Sequence, residues 1–94
     1  MSYMLVRANL QDYDTWKPSF DRHGSVRKSA GSKGGYVFRN ADDSNECVIL
    51  LEVDDLAKAR EFAQSENLRD EMQQAGVVGR PDIYFLNEAD RPAQ

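Results

Sequence analysis

The segment Glu46-Cys47-Val48-Ile49-Leu50-Leu51-Glu52-Val53 constrains this chain more than any other feature. It has the length and β-branched content of a strand, and in extended backbone successive side chains point to opposite faces. Cys47, Ile49, Leu51 and Val53 therefore share one face, and Val48 and Leu50 share the other. Both faces are apolar. Tyr3–Leu10 repeats the pattern, with Met4, Val6 and Ala8 opposed to Tyr3 and Leu5, and near the C-terminus Ile83 and Phe85 oppose Tyr84 and Leu86. A sheet buried on one side only alternates apolar with polar residues more cleanly. Such a chain must cover both faces of its sheet.

The remaining segments show what is available for that. Asp12 and Asp14 are N-cap candidates for a helix that carries Trp16, Phe20, His23 and Arg27 on one face. Pro18 fits its first turn, Gly24 weakens its interior, and Gly31 suits its end. Lys33–Asn40, with Tyr36-Val37-Phe38, reads as a second strand, and Asn40–Asn45 is turn chemistry leading into Glu46–Val53 as a hairpin. Asp54 or Asp55 caps a second helix bearing Leu56, Ala59, Phe62 and Ala63. Ser65 restarts it as a short segment with Leu68, Met72 and Ala75, closed by Gly76. Ile83–Leu86 is the fourth strand. The order βαββαβ is the ferredoxin-like α+β plan, a four-stranded antiparallel sheet whose right-handed crossovers put both helices on one face. No element remains for the other face. A second copy packed sheet to sheet about a two-fold axis covers it, which predicts a homodimer. With 94 residues the chain forms a single domain, 1–94.

Charge and residue counts exclude several classes of function. A net charge of −4 and a pI near 4.9 argue against nucleic-acid and anionic-membrane partners. A single cysteine, Cys47, forms no internal disulfide or thiolate cage, and the only histidine, His23, has no ligand partner at metal spacing, so no metal is expected. The longest apolar run, Cys47–Leu51, is too short to span a bilayer, and Met1–Arg7 is not a basic leader followed by an apolar core. The expectation is a cytoplasmic protein. Gly31-Ser32-Lys33-Gly34-Gly35 follows a helix and opens a strand, the reverse of a phosphate loop.

Chemistry concentrates on the first helix. His23 has two readings: a general base in a pocket, since imidazole titrates near neutrality, or a structural side chain tied to a backbone carbonyl or to neighbouring polar groups. Arg27 either binds a ligand oxygen or lays its stem on apolar surface with its head in water. Between Lys17 and Arg39 the local charge is +5, leaving −9 for the remainder. That polarity serves a helix dipole, subunit register, or a rim that attracts an acidic aromatic molecule. Trp16, Phe20 and Phe62 either pack the core or line a flat apolar cleft, with Tyr36 as a candidate phenol donor.

The stretches Asp12-Tyr13-Asp14-Thr15-Trp16-Lys17-Pro18 and Gly76-Val77-Val78-Gly79-Arg80-Pro81, in this element order, resemble the dimeric α+β barrel superfamily of antibiotic-biosynthesis monooxygenases and aromatic polyketide cyclases. The resemblance spans about Tyr3 to Glu88 and implies a homodimer with a pocket between helices and sheet. It implies a cofactor-independent monooxygenase or cyclase acting on a planar phenolic or acidic substrate. His23 would be the proton acceptor, Arg27 and Tyr36 would hold oxygens, and Trp16, Phe20 and Phe62 would shape the slot. The alternative is a non-catalytic, ligand-binding or stress-associated dimer. Haem-degrading relatives use a tryptophan and a histidine from later in the chain, so Trp16 and His23 do not extend the resemblance to them.

Overall fold

In the computed structural model, which describes all 94 residues, the chain runs β1 (Ser2–Leu10), α1 (Tyr13–Arg22), α2 (Gly24–Ser29), β2 (Ser32–Asn40), β3 (Asp43–Val53), α3 (Leu56–Ala63), α4 (Glu66–Ala75) and β4 (Val77–Asn87). The four strands form one antiparallel sheet in the order β2-β3-β1-β4. This is the ferredoxin-like α+β arrangement. Met4, Val6, Ala8 and Leu10 of β1 and Cys47, Ile49, Leu51 and Val53 of β3 are buried on one face, against Trp16, Ala59 and Ala75 from the helices. The period-2 alternation in the two central strands selects that face.

The opposite face stays open in the single chain. Register pairs Tyr36 with Leu50, Leu50 with Leu5, and Leu5 with Tyr84, an apolar row that crosses all four strands. Phe38, Val48, Tyr3 and Leu86 flank it. Tyr36 is 64% exposed, Phe38 51% and Tyr84 56%, and the Tyr36 and Phe38 rings stack at 5.5 Å. Arg7 closes one end of the patch, paired with Glu46 on β3 and with Asp82 on β4 at 3.0 Å.

Helix ends follow the caps. Asp12 accepts from the Thr15 amide at 3.2 Å, Asp55 from Ala57 at 2.8 Å and Ser65 from Leu68 at 3.2 Å, and Gly76 ends α4 at φ 92°. Four expectations are corrected. The first helix is two helices, because the chain leaves helical geometry at His23, whose side chain binds the Ser19 carbonyl, and Gly24 follows with little helical preference. Pro18 lies in the second turn of α1, where the carbonyl it deprives of a partner belongs to exposed Asp14. The hairpin turn is shorter than expected: β2 ends at Asn40 and β3 begins at Asp43, with the surplus absorbed by a register shift between Arg39 and Asn40. The last strand begins at Val77 rather than Ile83. It is an edge strand, and an irregularity in its pairing between Arg7 and Asn9 accommodates Gly79-Arg80-Pro81.

Candidate functional site

The break between α1 and α2 interrupts the helical ladder: the Phe20 carbonyl takes the His23 amide at 3.2 Å, and side chains from the candidate set add donors to the last carbonyls of α1. His23 Nδ1 lies 2.8 Å from the Ser19 carbonyl, and Arg27 Nη1 donates to the Phe20 carbonyl at 2.7 Å. A carbonyl oxygen only accepts, so Nδ1 carries a proton and Nε2 is the nitrogen left for chemistry. Nε2 points away from α1 and lies 3.3 Å from Glu71 Oε1 on α4. That contact is a hydrogen bond when a proton lies on either atom. His23 and Glu71 thus face each other between two helices.

This pair forms the polar corner of a small cavity between helices and sheet. Trp16 and Phe20 wall it from α1, Phe62 from α3, Leu68 and Met72 from α4, and the sheet floor includes Ile49. The Trp16 and Phe20 rings lie 4.9 Å apart at 31°, and the Arg27 guanidinium covers Phe20 at 3.6 Å from the ring centre. The cavity has a volume of about 60 Å³. It has room for a few water molecules and is too small, as it stands, for a tricyclic ring system.

Five of the six residues singled out in the sequence, Trp16, Phe20, His23, Arg27 and Phe62, meet at this cavity. Tyr36 does not, which corrects its placement as a phenol donor there. It pairs in register with Leu50, so its ring lies on the open face of the sheet. Glu71 was not anticipated from the sequence. Its signal was there, since Leu68, Glu71, Met72 and Ala75 follow one helical stripe with a single carboxylate among apolar residues.

A half-buried and a buried group have displaced pKa values. Burial pulls the Arg27 guanidinium down from its ordinary value, against the attraction of Asp21 and Glu71, but leaves it a cation. Burial pushes the Cys47 thiol up, so that it behaves as a small apolar residue. No three side chains of His, Cys, Asp or Glu converge as metal ligands, and no helix is long and apolar enough to cross a membrane.

No family model and no curated protein matches this chain. Solved structures do. An antibiotic biosynthesis monooxygenase superposes with a TM-score of 0.71 at 12% identity, over 96% of this chain and 100% of its own. SnoaB, a cofactor-independent oxygenase from Streptomyces nogalater, gives 0.76 at 11% identity, over 99% and 97%. Rv0793 from Mycobacterium tuberculosis gives 0.69 at 12% identity, over 98% of each chain. In each case the superposition covers nearly all of both chains. At these identities the likeness is one of architecture, and the chain has the ferredoxin-like α+β fold of the antibiotic biosynthesis monooxygenase structures.

Proposed function

We propose that the protein is a cofactor-independent, monooxygenase-like enzyme that takes a planar phenolic or acidic substrate into the cavity between helices and sheet. The observation that carries this reading is the His23–Glu71 pair, set with Ser19 and Arg27 in a mostly apolar cavity. With no proton between them, Nε2 is free to accept one from an acidic C–H or O–H of the substrate, while the Ser19 carbonyl keeps the ring in its tautomer. A substrate CH₂ activated by flanking rings becomes a carbanion and reduces O₂ itself. Overall, the CH₂ group and O₂ become a C=O group and water, with no other reductant consumed. The same proton transfer without oxygen serves a cyclisation.

Two copies complete the molecule in this reading. The row Tyr36–Leu50–Leu5–Tyr84 is a ready apolar centre and the Arg7–Glu46–Asp82 group a polar margin, the distribution found in subunit interfaces. The dimer buries that face and leaves the cavity on the outer side.

A second reading, a non-catalytic ligand-binding dimer, is favoured by one observation: Trp16, Phe20 and Phe62 close the cavity down to about 60 Å³. Oxygen consumption with a hydroxylated tricyclic aromatic separates the two. The enzyme reading expects turnover that falls about 10²–10⁴-fold in His23→Ala, with binding retained. Binding without oxygen uptake or product formation in the wild type assigns the protein to the second reading. Trp16 is the only tryptophan and forms part of the wall, so its fluorescence reports occupancy.

A further inference from the structure

Arg27 is a half-buried cation with no carboxylate within ion-pairing distance, although four arginine or lysine ion pairs form elsewhere in the molecule. Only its Nη1 is engaged, by the Phe20 carbonyl. One face of the guanidinium is taken by the Phe20 ring, which satisfies no hydrogen-bond donor. A buried charge left unpaired is costly, and a planar donor fork matches a carboxylate. On its outer side Arg27 lines a second, larger groove of about 360 Å³ between α2 and the start of β2. Lys28 and Lys33 also line it, and no acidic residue does. Gly24 borders the approach, and a Cβ there would make only ordinary contact with Arg27 Nη2, at 3.7 Å. Phe20, Arg27 and Leu51 line both this groove and the inner cavity and form the partition between them.

We propose that the groove of Arg27, Lys28 and Lys33 is a carboxylate subsite, and that the ligand is an aromatic acid whose charged group rests there while its rings pass Phe20 into the inner cavity. This rests on the inner cavity being a ligand pocket and names the class of ligand it takes. The partition explains how so small a cavity admits rings. The Phe20 side chain and the guanidinium stacked on it move together, and the incoming carboxylate replaces the Phe20 carbonyl as the partner of Arg27. Lys28 and Lys33 supply attraction from the rim without fixed geometry.

Calorimetric titration with 2-naphthoate and its neutral isostere 2-naphthamide tests this. The wild type should bind the acid about tenfold more tightly than the amide, and added salt should weaken only the acid. Arg27→Gln should abolish the preference for the acid over the amide. Because Arg27 also caps α1, Lys28→Gln/Lys33→Gln serves as a second variant, with an expected loss of about threefold for the acid alone. Equal binding of acid and amide by the wild type overturns the subsite and leaves the pocket standing. Acid preference that survives in both variants also overturns the subsite. Binding of neither compound overturns the pocket and the subsite together.

Discussion

Gly35 offers the sharpest test of the sheet packing. A Cβ built at this position would lie 1.9 Å from the Leu50 carbonyl oxygen, 2.9 Å from its carbon and 3.0 Å from the Leu51 Cα. All three atoms are backbone of the neighbouring strand, so no rotamer relieves the clash. To reach even a tight 3.0 Å contact, β2 and β3 must part by about 1 Å on a normal spacing of about 4.8 Å. That lengthens the flanking ladder hydrogen bonds past useful distance. Each such bond contributes about 1 kcal/mol net, and steric overpacking costs about 1–3 kcal/mol. Gly35→Ala should therefore destabilise by roughly 3 kcal/mol, against a total of about 5–14 kcal/mol for a domain of this length. β2 is an edge strand, so the damage should be local peeling rather than collapse of the sheet. Gly34→Ala is the control. Its Cβ meets nothing within 4 Å, and only the φ of 91° is strained, at about 1–2 kcal/mol. Urea unfolding followed by circular dichroism gives both values, and hydrogen exchange at the amides of Tyr36–Phe38 locates the damage. If Gly35→Ala unfolds within about 0.5 kcal/mol of wild type, or costs less than Gly34→Ala, the close approach of β2 to β3 is wrong.

Three further outcomes follow from the same geometry. Leu50→Lys places a charge in the middle of the open apolar row, and light scattering should show a dimer for the wild type, twice 10.7 kDa, and a monomer for the variant; a monomeric wild type refutes the assembly. Glu46 is held below the usual carboxylate range, first by the Asn40 amide and then by Arg7. Its folded pKa lies below its unfolded one, so its contribution is present above the usual range and lost as pH falls through the folded value. The stability gap between wild type and Glu46→Gln should then close on acidification, and a gap independent of pH counts against the interaction. Asp12→Ala removes the acceptor for the Thr15 amide and hydroxyl and should cost about 1 kcal/mol in urea unfolding; no loss would show that α1 does not depend on that cap.

Local chemistry made much of this molecule legible before any coordinates. Caps at Asp12, Asp55 and Ser65, the stop at Gly76 and the period-2 strands are interactions among residues a few positions apart, and they determined element order and the covered face. The two-sided grease of β1, β3 and β4 likewise announced an open face, because alternation is a property of the strand alone. Tertiary structure decided the rest. Glu71 meets His23 only because α4 packs across the end of α1, a juxtaposition of residues 48 positions apart that no local spacing encodes. Tyr36 left the candidate site because register with β3, not residue type, chooses its face. Arg27 stands unpaired beside Lys28 and Lys33 because the chain breaks at His23 and turns the start of β2 alongside α2. Periodicity says which residues share a side. Which sides then confront each other depends on how helices and sheet settle together, and at that level an imidazole and a carboxylate were brought to one cavity.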